Sequence, residues 1–267
     1  MSLTHAHGPL AGDPAPGNYA IDGPAHRLFF QDFPRRVRGE LGGETVIDTT
    51  RAKLLHETGL LPALYVPLED VAGNALLASD HTTHCPFKGD ATYRSLRAGG
   101  RTAENAIWLY EQPLPEAPWL AGHAGCYLDR LDRWLDEDDE VLGKLRDPYH
   151  RVDVRRTGRH VRVVAGGETI AETRRALLLS ETGIPNRFYV PRDDVRAPVH
   201  GPTATTSTCP YKGHATYWDV ELPGGERLGD AAWSYDEPTG DADAVAGHLS
   251  FWGDAVQVVV DGEQVPA

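Results

Sequence analysis

The residues best placed to do chemistry lie in the stretch Cys209-Pro210-Tyr211-Lys212-Gly213-His214-Ala215-Thr216-Tyr217-Trp218. A thiolate is the reactive form of cysteine, and the nearby Lys212 ammonium would favour it by charge. A lysine in a partly desolvated pocket can instead form a Schiff base or clamp an anionic substrate. Glu181, in Glu181-Thr182-Gly183 after an apolar run, would be a general base if burial raised its pKa. Each residue also has a structural reading. Cys209 can be a small buried hydrophobe, and Lys212 can pair with Glu181 or Asp194. Glu181 can equally cap a turn or hold the lysine.

The same frame appears earlier as Cys85-Pro86-Phe87-Lys88-Gly89-Asp90-Ala91-Thr92-Tyr93-Arg94. The offset from Cys85 to Cys209 also aligns Glu57 with Glu181 and Asp70 with Asp194, so one module is written twice. Tyr189, Tyr217, Trp233 and Tyr235 have counterparts Tyr65, Tyr93, Trp108 and Tyr110. Aromatics of this kind form core or the amphipathic walls of a pocket. His123 and His248 each follow Ala-Gly and read as hydrogen-bonded structural histidines or proton shuttles. His214 is replaced by Asp90 in the first copy. That difference places the better site in the second copy, because a carboxylate disfavours a thiolate and holds a lysine protonated. His81, His84 and Cys85 form a His-x-x-His-Cys cluster that the second copy lacks.

The elements that must position these residues read as strands. Arg27 to Phe30 and Arg35 to Arg38 are short β segments. His160-Val161-Arg162-Val163-Val164 alternates, Gly166-Gly167 turns, and Thr169 to Glu172 returns. The runs Ala52 to Glu57 and Ala176 to Glu181 are either a buried strand or a single helical turn, because their periodicity does not separate the two. Tyr65-Val66-Pro67 and Tyr189-Val190-Pro191 are β pieces stopped by proline. Ala215 to Val220 alternates as a strand. At its end the second copy has Val256 to Val260 and an Asp261-Gly262 turn. The first copy instead runs through the acidic stretch Asp129 to Glu140, whose apolar residues at 131, 134, 135 and 142 are spaced for a helix. This predicts a leader over residues 1–24, mobile by its Pro, Gly and His content. A first domain follows over 25–146, ending in an acidic helical linker, with a second domain over 147–267.

Composition bounds the function. The chain has 267 residues and a net charge of -13, from 39 acids against 26 bases. Nucleic-acid phosphates would want a basic face, so no nucleic-acid partner is expected. No run approaches the ~20 apolar residues of a membrane span, and no membrane partner is expected. Three cysteines without a Cys-x-x-Cys pair point to reduced thiols in a cytoplasm rather than to a disulfide framework or zinc knuckle.

Five ordered blocks carry a family resemblance. GGETIAETRRALLLSETG, FYVPRDDV, CPYKGHATYW, AWSYDEP and AGHLSFW resemble the family catalogued as domain of unknown function 427, and the first copy repeats them as GGETVIDTTRAKLLHETG, LYVPLEDV, CPFKGDATY, WLYEQP and AGH. The resemblance implies an all-β fold, two tandem β-tent-like domains of bent antiparallel sheets with little helix. A nucleotidyltransferase-like label attached to the family finds no support in a phosphate-binding loop or paired metal-binding aspartates. Zinc-binding relatives of the β-tent class use Cys-x-x-Cys pairs that are absent here, so no metal or other cofactor is expected. Two functions follow. One is a cytoplasmic enzyme on a small molecule, with Cys209 or Lys212 as nucleophile and Glu181 as base. In the other, the protein is a non-catalytic small-molecule or protein-binding module whose Cys–Lys–Glu set is a structural network. Either way the ligand-facing residues would be Tyr189, His214, Tyr217, Trp233 and Tyr235, with Cys85, Lys88 and Glu57 in the first copy. Because the fold should rest on its apolar core, exhaustive dialysis against a chelator is expected to leave the melting temperature unchanged. A large drop reversed by zinc would contradict this.

Overall fold

A computed structural model of the chain describes residues 25–266. The expected leader over 1–24 lies outside the described residues. The chain divides into two compact units, with the break between Tyr149 and His150. Asp147 to Tyr149 therefore go with the first unit, where the Tyr149 hydroxyl donates to Gln31 Oε1 at 2.8 Å.

Both units are built from antiparallel strands and short 3-10 turns. The first contains β1 (Leu28–Asp32), β2 (Val37–Leu41), β3 (Glu44–Thr49), β4 (Lys53–Glu57), β5 (Ala63–Pro67), β6 (Leu76–Cys85), β7 (Gly89–Ala98), β8 (Arg101–Leu109), β9 (His123–Cys126), β10 (Arg133–Asp136) and β11 (Asp139–Glu140). They form a seven-stranded sheet in the order β1-β4-β5-β9-β8-β7-β6 and a four-stranded sheet in the order β11-β10-β2-β3.

The second unit contains β12 (Val152–Arg156), β13 (Val161–Ala165), β14 (Glu168–Thr173), β15 (Leu177–Glu181), β16 (Ile184–Pro191), β17 (Val199–His200), β18 (Thr206–Cys209), β19 (Gly213–Glu221), β20 (Arg227–Ser234), β21 (His248–Phe251), β22 (Val256–Val260) and β23 (Glu263–Val265). Its large sheet runs β12-β15-β16-β21-β20-β19-β17, with β18 also paired to β19, and its small sheet runs β14-β13-β22-β23. Strand for strand this is the first topology, with β6 replaced by the broken pair β17 and β18. The duplication read from the motifs extends to every strand pairing.

Each large sheet has apolar residues on both faces. One face packs against the small sheet around Val37, Ile47, Leu54, Val66, Leu96 and Ile107 in the first unit. Val161, Val163, Ile170, Val190, Leu249 and Val258 do the same in the second. The other face carries a smaller, tyrosine-rich core, with Leu55, Tyr65, Tyr93 and Tyr110 in one unit and Leu179, Tyr189, Tyr211 and Tyr235 in the other. This resolves the ambiguous run before Glu57. Leu54 faces one core and Leu55 the other, so β4 is a strand buried on both faces. Burial on both faces removes the alternation that marks a half-buried strand.

The glycine pairs serve as hairpin turns with left-handed φ at both positions, +58° and +79° at Gly42-Gly43 and +59° and +81° at Gly166-Gly167. At Gly42 the requirement is absolute, since a Cβ would sit 2.4 Å from the Ala98 carbonyl oxygen.

The acidic stretch corrects the sequence reading. Instead of a helical linker, residues 133–140 form the hairpin β10–β11, and β10 adds to β2. The spacing of Leu131, Trp134 and Leu135 arises because Trp134 and Leu131 close over Gly39, where a Cβ would meet Leu131 Cδ1 at 2.8 Å. The acids are held by arginines of the small sheet. Arg35 Nε donates to Asp136 Oδ1 at 2.6 Å and the Arg36 backbone N–H to Glu137 Oε1 at 2.8 Å. Glu137 turns the chain with φ +53°, as Asp261 does with φ +52°. Asp261 likewise accepts from Arg159 Nε at 2.7 Å and the His160 backbone at 2.9 Å. The two copies therefore end alike.

Among the described residues no helix is long and apolar enough to cross a membrane. Because each unit has its own pair of cores, residues 147–267 expressed without the first half are expected to melt cooperatively. A collapsed, protease-sensitive product would contradict this.

Candidate functional site

The Cys-Pro-aromatic-Lys-Gly block is the turn joining β18 to β19, and in the first unit β6 to β7. The Lys212 N–H donates to the Cys209 carbonyl at 3.3 Å, and Lys88 does the same to Cys85 at 3.3 Å. Proline sits where its fixed φ suits the first corner of such a turn. The following glycine has φ +95° at Gly213 and +101° at Gly89. The turn is pinned from outside, since Thr239 N–H donates to Lys212 O at 3.2 Å and Leu114 N–H to Lys88 O at 3.0 Å.

This turn drives the lysine into the sheet. Lys212 is 9% exposed and Glu181 6%, and their side chains form a direct ion pair. Lys88 and Glu57 pair in the same way. A third member was missed in the sequence. His150 Nε2 lies 2.9 Å from the other carboxylate oxygen, Glu181 Oε1, and its ring stacks on Tyr211 with centroids 4.2 Å apart. In the first unit His26 Nε2 is 3.5 Å from Glu57 Oε2 and stacks on Phe87 at 3.8 Å. The aromatic of the turn motif is therefore the platform for this histidine.

The Glu-Thr-Gly motif sets the histidine's place. Thr182 Oγ1 accepts from the Arg151 N–H at 2.9 Å, and the Thr182 N–H donates to the Arg151 carbonyl at 3.0 Å. Thr58 holds Arg27 by the same two bonds, at 2.9 and 3.2 Å. Glutamate thus reaches inward to histidine and lysine while threonine clamps the backbone beside that histidine. The signal available in the sequence was the dipeptide His-Arg, at residues 26–27 and again at 150–151.

The surroundings are aromatic. Trp233 Nε1 donates to the Tyr189 hydroxyl at 3.2 Å, and Trp108 Nε1 to that of Tyr65 at 2.9 Å. Burial pushes the Tyr189 hydroxyl far up, and burial together with neighbouring Tyr189, Cys209 and Glu181 does the same to Tyr235. Tyr217 is tied to Ser207 at 2.9 Å. Cys209 and Cys85 are half-buried free thiols packed against these rings.

Glu181 departs from the raised pKa that a general base would need. Burial would raise it, but the hydrogen bond from His150 and the charge of Lys212 hold it below the ordinary value. Asp194, the other candidate partner for the lysine, is held instead by Thr173 at 2.5 Å and Arg175 at 2.6 Å.

His214 corrects a further expectation. It is exposed, alternates with buried Gly213 and Ala215, and bonds Thr208 through Nδ1 at 2.9 Å. Its counterpart Asp90 is exposed and paired with His84 at 2.6 Å. Neither residue stands beside the lysine, so this pair gives no reason to prefer the second unit. His84 is thereby turned away from the suggested metal cluster, and His81 lies against the Tyr93 ring at 4.4 Å. Among the described residues no three His, Cys, Asp or Glu side chains form a group able to hold a metal ion. His123 and His248 each bond the carbonyl two residues back through Nδ1, at 3.2 and 2.8 Å.

One difference between the sites is visible. Arg187 lies over Trp233 at 5.9 Å with a buried Nη1 that has no hydrogen-bond partner, and burial lowers its pKa. Ala63 occupies the equivalent position in the first unit.

These observations define a duplicated all-β protein in which each unit buries a His–Glu–Lys chain beneath a Cys-Pro-aromatic-Lys-Gly turn. The chain belongs to the family described as domain of unknown function (DUF427), whose model matches residues 30–137 and again residues 153–262. Both network histidines, His26 and His150, lie just before the matched stretches. A comparison with curated proteins finds no match.

The depressed Glu181 pKa has a measurable sign. A carboxylate held below its ordinary value of 4.5 adds stability above that pH and loses it as pH falls through the folded value. Below about pH 4.5, the melting temperature of Glu181→Gln should therefore fall less steeply than that of the native chain. Parallel acid limbs would contradict the assignment.

Proposed function

We propose that each unit is a non-catalytic binding module in which the Lys–Glu–His chain is a structural network. The observation that carries this reading is the mutual commitment of the buried Lys212 and Glu181 side chains, with His150 on the remaining carboxylate oxygen; the ion pair is repeated at Lys88 and Glu57, where His26 Nε2 stands 3.5 Å away without a hydrogen bond among the described residues. An ammonium bound to a buried carboxylate has no lone pair to attack a carbonyl. A carboxylate that accepts from two neighbours, with its pKa held down, is a weak proton acceptor. Lys212 as nucleophile and Glu181 as base therefore have little support in this geometry.

We read the fold as β-tent-like, a reading supported by the large and small antiparallel sheets that share one core in each unit and by register shifts in the β7–β8 and β19–β20 pairs that bend the strands. We place the protein in the cytoplasm, supported by three cysteines without a disulfide.

A double-mutant cycle tests the network. Removing one partner of a buried pair leaves an uncompensated charge, so Lys212→Met should cost about 3–5 kcal/mol. Lys212→Met combined with Glu181→Leu should cost clearly less than the sum of the single changes. Residues kept for catalysis commonly cost stability, so a neutral or stabilising Lys212→Met would contradict the reading. Iodoacetamide should also label Cys209 no faster in the folded protein than in the unfolded chain. Faster labelling of the folded form would mark an activated thiol and favour the enzyme.

A further inference from the structure

The second unit has a cleft lined by arginines. A cavity of about 540 Å³ is lined by Arg156, Arg174, Arg175 and His248, with Ala176, Leu177 and Ala244 among its apolar lining residues. Its volume falls in the range of small-molecule sites. No carboxylate lines it, although the chain as a whole carries a net charge of -13. The cleft lies at the end of the β12–β15 pair away from the network, because Arg156 pairs with Leu177 while Glu181 pairs with Val152.

The cleft's guanidinium groups differ in their partners. Arg175 is held by Asp194 at 2.6 Å. Arg174 lies close enough to the Asp261 carboxylate to help lower its pKa, and both Arg156 and Arg174 are exposed. His248 bonds the Ala246 carbonyl through Nδ1 at 2.8 Å, which leaves Nε2 for another partner.

The corresponding place in the first unit carries different residues. Arg156 is replaced by Asp32 and Leu177 by Lys53, and these two form an ion pair. Thr50 stands in place of Arg174. Trp119 stands in place of Ala244, where it stacks on Phe30 at 4.9 Å, and Phe30 meets the His123 ring edge-on at 5.3 Å. In the second unit Phe30 is replaced by Val154. Where the first unit has large aromatics and an ion pair, the second has smaller residues and arginines, so the open, arginine-lined corner is a property of this unit.

We propose that this cleft binds the phosphate group of a small phosphorylated molecule. Guanidinium groups present forked donors that match phosphate oxygens in pairs. Arg156 and Arg174 supply two such forks, His248 Nε2 offers a further polar contact, and Ala176, Leu177 and Ala244 take the apolar part of the ligand. A lone phosphate would use the charge but leave most of the volume empty. The assignment deepens the binding-module reading and rests on it for its meaning, while its geometry is independent of the Lys212 network.

Isothermal titration of the full chain with phenyl phosphate, inorganic phosphate and phenol, at low salt, tests it. Phenyl phosphate should bind saturably and more tightly than inorganic phosphate, and phenol should not bind. Arg156→Ala combined with Arg174→Ala should weaken phenyl phosphate at least about tenfold and leave the melting temperature unchanged, because both side chains are exposed. Arg156→Lys with Arg174→Lys should restore part of the affinity. Absence of saturable binding, or binding unaltered by the double alanine variant, would overturn the site. Lys212→Met, which tests the network reading, should leave phosphate binding intact in whatever fraction of the protein remains folded, so the two ideas fail separately.

Discussion

A lysine buried against a glutamate is the constraint around which each unit is arranged. Taking both charges out of water costs several kcal/mol each, and their attraction returns this only with good geometry and further hydrogen bonds. The fold supplies those conditions with short local devices. The Cys-Pro-aromatic-Lys-Gly turn inserts the lysine, and the strand ending in Glu-Thr-Gly delivers the carboxylate. The threonine of that motif clamps the strand that carries the histidine, and the aromatic of the turn supports its ring. The pair is thus not the source of folding energy. Full burial of side chains such as Leu54, Val66 or Ile107 contributes about 1.5–3 kcal/mol each. In the reading proposed above, the network selects the arrangement of turn and strand, since a misplaced turn would leave a charge buried alone.

Repetition of the network in both units ties motif to topology. The five-residue turn, the Glu-Thr-Gly ending and the His-Arg pair lie in or beside different strands of one large sheet, and the same strands are used in both copies. Within the network the histidine contact differs, 2.9 Å at His150 and 3.5 Å at His26, and further differences lie outside it. Ala63 becomes Arg187, and the filled corner at Asp32, Lys53 and Trp119 becomes the open corner at Arg156, Leu177 and Ala244. One copy carries an ion pair and an aromatic stack at this corner, while the other carries arginines around a cleft.

Much of this was legible in the chain. Alternation and glycine pairs identify the hairpins, and the double appearance of each block identifies the duplication. Three features were not legible, for separate physical reasons. The run through Leu54 and Leu55 is buried on both faces, which erases the strand period. The residues around Trp134 imitate a helix because a bulky side chain covers Gly39 from a strand, and the acids there are spent on Arg35 and Arg36 rather than on a helix surface. The histidine of the site stands thirty-one residues from its glutamate and outside the dense motif, so only the repeat register could expose it. His214, inside that motif, attracted attention by proximity, but strand alternation turns it outward.

The central claim is that the Lys212 ammonium is enclosed and bound to Glu181. Heteronuclear NMR of the lysine ammonium groups reads this directly. Exposed ammonium protons exchange with water too fast to be seen near neutral pH, whereas buried, hydrogen-bonded ones persist. The account predicts slowly exchanging ammonium signals from Lys88 and Lys212, none from the exposed Lys144, and loss of the Lys212 signal alone in Glu181→Gln. A Lys212 ammonium that exchanges as fast as that of Lys144 would contradict it.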